Sequence, residues 1–63
     1  PDQNPGAVVL QRRLQRAQEL LHNPRLSVSH IAFTMGFASS QHFATAFRGR
    51  FGVSPSAYRQ QLR

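Results

Sequence analysis

The sequence predicts an all-α fold, and three features carry that expectation. Apolar residues recur at three- and four-residue steps along most of the chain. Each such run follows a Ser or Asn suited to cap a helix, at Asn4, Ser27, Ser39 or Ser40, and Ser54. Pro or Gly interrupts the runs, at Pro24, Gly36 and Gly52. The central stretch, residues 27–51, reads as a short helix, a tight turn at Gly36 and a longer second helix. Two helices joined by a turn of about three or four residues containing Gly make a helix-turn-helix.

Residues 1–5 read as a disordered start, with Asn4 as a candidate N-cap and Pro5 preset for helical entry. A first helix is expected over about residues 6–22. At about 100° per residue, Leu10, Leu14, Ala17 and Leu21 fall in one narrow wedge, with Leu20 beside it. Arg12, Gln15, Arg16 and Glu19 lie opposite, and Arg13 sits on the flank of the stripe, its stem over apolar surface. His22-Asn23-Pro24 is expected to stop this helix, Asn23 taking a left-handed cap and Pro24 forbidding continuation. Leu26 then anchors the chain to the core.

The second helix opens on Ser27 and buries Val28, Ile31, Ala32 and Met35. Gly36 ends it in a left-handed conformation, and Phe37 folds back onto Ile31 or Ala32. Ser39 or Ser40 caps the third helix, whose buried face carries Phe43, Ala46, Phe47 and Phe51. Gly49 inside it costs ~1 kcal/mol relative to Ala. Gly52 closes that helix. Ser54-Pro55 repeats the cap-and-first-position pair, and Ala57, Tyr58 and Leu62 mark a last short helix over residues 54–62.

Composition narrows the class. Sixty-three residues make one small domain, which would bury only ~60% of the surface of its unfolded chain. The net charge is +6, and all eight cations are Arg. So basic a small domain points to an anionic partner, most often nucleic acid. The absence of Cys removes disulfide and thiolate-metal frameworks. His22, His30 and His42 have no metal-ligand spacing, so neither metal nor cofactor is expected. Ser27 and His30 already have a capping explanation, and no third orienting group accompanies them, so catalysis is not expected either. No apolar run approaches ~18 residues, and no signal-peptide pattern is present. A soluble cytoplasmic protein is the default.

The run Arg13-Leu14-x-x-Ala17-x-x-Leu20-Leu21 is followed by Ser27-Val28-x-x-Ile31-Ala32-x-x-Met35-Gly36-Phe37-x-Ser39. Then comes Phe43-x-x-x-Phe47-x-x-x-Phe51-Gly52-x-Ser54-Pro55-x-x-Tyr58-Arg59. Together these resemble the AraC/XylS family of bacterial transcription regulators over roughly residues 5–59. That family's DNA-binding domain carries two helix-turn-helix units joined by a linker helix. The resemblance covers the linker helix plus the second unit, so the chain is expected to be a piece of a longer regulator. It implies a homeodomain-like three-helix core, preceded by the linker helix and followed by a short C-terminal helix. His30 stands where the family often has Glu, and His42 where it frequently has Tyr.

A helix-turn-helix lays its second helix in the major groove of DNA, with the N-terminal residues at base edges. The face opposite Phe43 and Phe47 carries Gln41, Ala44, Thr45 and Arg48, with Ser40 at the entrance; these five are the candidate base contacts. Gln41 suits adenine, Arg48 suits guanine or a phosphate, and Ala44 or the Thr45 methyl suits a thymine methyl. Ser39, His42 and Arg50 are assigned to the phosphate backbone, Ser39 as the cap that turns backbone N–H groups toward it. The five Phe at helical spacing read as core rather than as a stacking platform. Double-stranded DNA is thus the expected partner, with RNA polymerase a further partner implied by the resemblance. An effector ligand, if the regulator has one, belongs to a part of the protein outside this chain. The alternative is a basic helical module on a partner protein or an anionic membrane. Its interfacial helix (residues 7–22) lacks the Trp or Phe of a membrane anchor, so no membrane partner is expected.

Overall fold

A computed structural model describes residues 5–62. Helix α1 spans Pro5–Leu20, α2 Val28–Thr34, α3 Ser40–Phe51 and α4 Pro55–Gln61, with no strand among the described residues. The all-α expectation holds. Of the disordered start expected at residues 1–5, residues 1–4, with Asn4 as cap, lie outside the described residues, and Pro5 already belongs to the first helix.

Helix α1 begins at Pro5 and ends at Leu20 rather than at residue 22. Its stop differs from the expected one, because among the described residues none but glycine has positive φ and Asn23 takes no left-handed cap. Instead the last turn tightens: His22 N–H donates to the Glu19 carbonyl at 3.1 Å and Asn23 N–H to that of Leu20 at 3.0 Å. Asn23 Oδ1 then accepts from the Arg25 N–H at 3.0 Å, a side-chain turn that carries the chain round Pro24. With the carbonyls satisfied in this way, a left-handed residue is unnecessary.

The other caps are local and follow the sequence. Ser27 Oγ accepts from the His30 N–H at 3.0 Å, Ser39 Oγ from that of His42 at 3.0 Å, and Ser54 Oγ from that of Ala57 at 3.1 Å. Gly36 has φ +85°. Its N–H reaches the Phe33 carbonyl at 3.0 Å while the Phe37 N–H reaches that of Ala32 at 3.0 Å, the paired bonds that close a helix through a left-handed glycine. Phe37 folds back through this amide; its ring continues onto Phe43, 5.1 Å between centroids. Gly52, at φ +84°, closes α3 by donating to the Arg48 carbonyl.

Leu14, Ala17 and Leu21, Ile31 and Ala32 of α2, Phe37 of the turn, and Phe43 and Phe47 of α3 form the core, with Phe51 packed against it. Phe33, expected in the core with the other four Phe, points outward and is 68% exposed. Phe43 and Phe47 are wholly buried, and side chains of that size stabilise by ~1.5–3 kcal/mol each when removed from water. Leu10 does not join them, contrary to the stripe expected of α1. It is 39% exposed, beside Val8 and Val9. Sixteen residues make α1 about 24 Å long, whereas seven-residue α2 covers only about 10 Å. The first turns of α1 therefore overhang the bundle.

Helix α4 is held by aromatic packing and by polar contacts at the end of α1. The Tyr58 ring lies 5.7 Å from that of Phe47, and its hydroxyl shares a 3.1 Å hydrogen bond with His22 Nε2. Arg59 donates from Nε to the Leu21 carbonyl and from Nη2 to that of Asn23, both at 3.2 Å.

Candidate nucleic-acid interface

Helix α3 is fixed from within. Its Phe43, Phe47 and Phe51 rings pack edge-on and tilted in sequence, 5.7 and 4.5 Å between neighbouring centroids, so the opposite side of the helix is turned outward in a defined register. On that side Gln41, Thr45 and Arg48 are all exposed, and helical geometry puts them within about 60° of one another. One face thus brings together three of the five candidate base readers. Ser40 and Ala44 are half-buried at the border of this face. There Ala44 offers a methyl edge rather than a projecting side chain.

The residues assigned to phosphate do not form one cluster. Ser39 accepts the His42 N–H through Oγ, which leaves its own O–H free to donate. His42 is exposed, its ring edge-on to that of Phe37 at 5.7 Å. These two frame the entrance of α3. Arg50 lies on the other flank, its guanidinium 5.4 Å from the Phe51 ring centroid. It borders an open groove between α1 and α3 lined also by Leu10, Gln11, Leu14, Ala46 and Gly49.

The arginines differ in what their charges already do. Arg59 is half-buried and spent on two carbonyls, so it is not among the free cations that the composition suggested. Arg16 pairs with Glu19 at 2.8 Å, both side chains more than 60% exposed (63% and 67%); such a pair adds little stability. Arg12, Arg25 and Arg48 are exposed. Arg13 lays its guanidinium over the turn, 3.5–3.8 Å from where a Cβ on Gly36 would stand. Sequence reasoning saw only a flanking position for Arg13 and no role for Arg59. Both roles join residues far apart in the chain, which periodicity does not report.

Among the described residues no group of His, Cys, Asp and Glu could hold a metal ion. None of their helices is long and apolar enough to cross a membrane.

A family model described as a helix-turn-helix domain matches residues 2–61. The chain is 44% identical over 54 residues to the Msm operon regulatory protein of Streptococcus mutans, covering 86% of this chain and 19% of that protein. It is 54% identical over 48 residues to the HTH-type transcriptional activator RhaS of Escherichia fergusonii, 76% of this chain and 17% of the relative. With the HTH-type transcriptional regulator ExsA of Pseudomonas aeruginosa the identity is 40% over 57 residues, 90% and 20% of the two chains. The chain thus spans about a fifth of the length of these curated relatives. No solved structure matches it. Helices capped by serine around a glycine turn, the family match over nearly the whole chain and these regulatory relatives converge: the chain belongs to the AraC/XylS family of bacterial transcription regulators and is a helix-turn-helix DNA-binding module.

Proposed function

We propose that residues 5–62 are the linker helix and second helix-turn-helix of a longer regulator, with α3 reading the major groove sequence-specifically. The observation that carries this reading is the exposed set Gln41, Thr45 and Arg48 on the one face of α3 left free by the core. Gln41 bonds an adenine edge bidentately, Arg48 a guanine, and the Thr45 methyl or Ala44 packs on a thymine methyl. Ser40 borders the same face at the helix entrance. Ser39, His42 and Arg50 hold the sugar–phosphate backbone, which sets register without reading sequence. The membrane alternative loses its support here, because Leu14, Ala17 and Leu21 of the amphipathic helix are used up inside the domain.

In this reading the regulator works in the cytoplasm and contacts RNA polymerase. Any effector binds a part of it outside these residues. The test is a selection of bound sites from random duplexes, run with the parent sequence and with Gln41→Ala. The variant is expected to lose discrimination at one base pair by ~1–3 kcal/mol while non-specific binding stays nearly intact. A base-preference matrix unchanged by Gln41→Ala removes that residue from the reading face.

A further inference from the structure

Arg13 belongs to α1, yet its guanidinium lies on the turn between α2 and α3. Its Cζ, Nη1 and Nη2 stand 3.5, 3.6 and 3.8 Å from the position a Cβ on Gly36 would take. The planar head therefore lies over the turn, at van der Waals distance from where a side chain on Gly36 would begin. No hydrogen bond or ion pair engages it among the described residues. Arg59 and Arg16 contrast with it, since carbonyls and Glu19 occupy their donors. The partial negative charge at the C-terminal end of α2 favours a cation there. The result is an exposed guanidinium lying over the turn with its fork of donors unspent.

The turn it covers leads straight to the entrance of α3. Gly36 and Ser39 are three residues apart, at most about 11 Å along the chain. Phe37, next to Gly36, carries the His42 ring edge-on. We propose that Arg13 is a DNA-phosphate contact: the linker helix supplies, across the glycine turn, a guanidinium to the same backbone strand that Ser39 and His42 meet at the start of the recognition helix. This rests on the proposed docking of α3 in the major groove. Guanidinium suits the task because its forked donors match two phosphate oxygens at once. The contact would also tie the linker helix, and not only the helix-turn-helix, to the duplex.

The experiment measures duplex binding by fluorescence anisotropy across a salt series for the parent chain, Arg13→Gln, Arg13→Lys and the control Arg16→Gln. Thermal melting of each is followed alongside. Each phosphate neutralised contributes about 0.9 to the slope of log affinity against log salt. Arg13→Gln is expected to lower the slope by about that amount and to weaken binding about tenfold at low salt, equally for all sequences. Arg13→Lys keeps the slope, and Arg16→Gln leaves both quantities near the parent's. An unchanged slope in a folded Arg13→Gln overturns the proposal and assigns Arg13 a packing role. An equal loss in Arg16→Gln also overturns it, because the effect is then general charge. If the base preferences change instead, Arg13 acts through the placement of α3 and not on phosphate. Failure of the parent chain to bind duplex in a salt-dependent way defeats the functional reading itself, a result distinct from the other three.

Discussion

Gly36 and Gly49 have the same side chain and opposite reasons for it. Gly36 sits at φ +85°, and the three atoms nearest a Cβ there are those of the Arg13 guanidinium at ordinary contact distance. Space is not the obstacle; backbone conformation is. Gly36→Ala is expected to destabilise by ~1–2 kcal/mol, the cost of a left-handed residue with a Cβ. Gly49 lies inside α3 with nothing within 4 Å of its would-be Cβ. Gly49→Ala is expected to stabilise by ~1 kcal/mol, because alanine restricts the unfolded chain and favours the helix. Urea unfolding of both variants checks the pair, and changes of the same sign would contradict it. At this scale the sequence was informative wherever the cause is local. Ser27, Ser39, Ser54, Gly36 and Gly52 take the roles their residue types announce. Asn23 did not, because its side chain had a competing partner in the Arg25 N–H.

Among the elements, α4 depends most on partners distant in sequence. It has seven residues, too few to be stable alone. It is held by Tyr58 on Phe47, the His22–Tyr58 hydrogen bond and the two bonds from Arg59. Arg59→Met keeps a flexible apolar stem but leaves the Leu21 and Asn23 carbonyls without that donor. A loss of ~1–3 kcal/mol in denaturant unfolding is expected, with little change in the salt slope of DNA binding. A large fall in that slope would instead return Arg59 to the free cations. The existence and type of all four helices were legible in three- and four-residue periodicity. The docking of α4 was not, since a Tyr-Arg pair beside a helix end looks the same whether or not it reaches that end. The exposed start of α1 was hidden for a related reason: Leu10 keeps the period of Leu14, and only the shortness of α2 leaves it uncovered.

For the molecule as a whole, one helix-turn-helix covers only part of a groove. The chain alone is expected to bind duplex DNA weakly, with Kd near ~10⁻⁴–10⁻⁶ M at physiological salt, and less as salt rises. A longer protein carrying a second unit would bind orders of magnitude tighter, because its second contact becomes intramolecular. Titrating labelled duplex with both, side by side, checks this. Equal affinities, or salt-insensitive binding by the short chain, would contradict it. The partner class was readable from charge and the reading face from helical spacing, but which arginines are free was not, because that depends on carbonyls and turns brought together only by folding. The contacts between α4 and α1 have a kinetic side as well. They join residues 36 and 38 apart, while the caps and the glycine turn join near neighbours. Closing so long a loop is an entropic cost that comes before any reward from its contacts. The packing of α1 on α3 closes a span nearly as long, so α4, seven residues long and joined to α3 by a short turn, can settle after both. The same order in reverse makes the end of α4 the first part to open, so its amide protons would exchange by sub-global opening, ahead of those beneath Phe43 and Phe47.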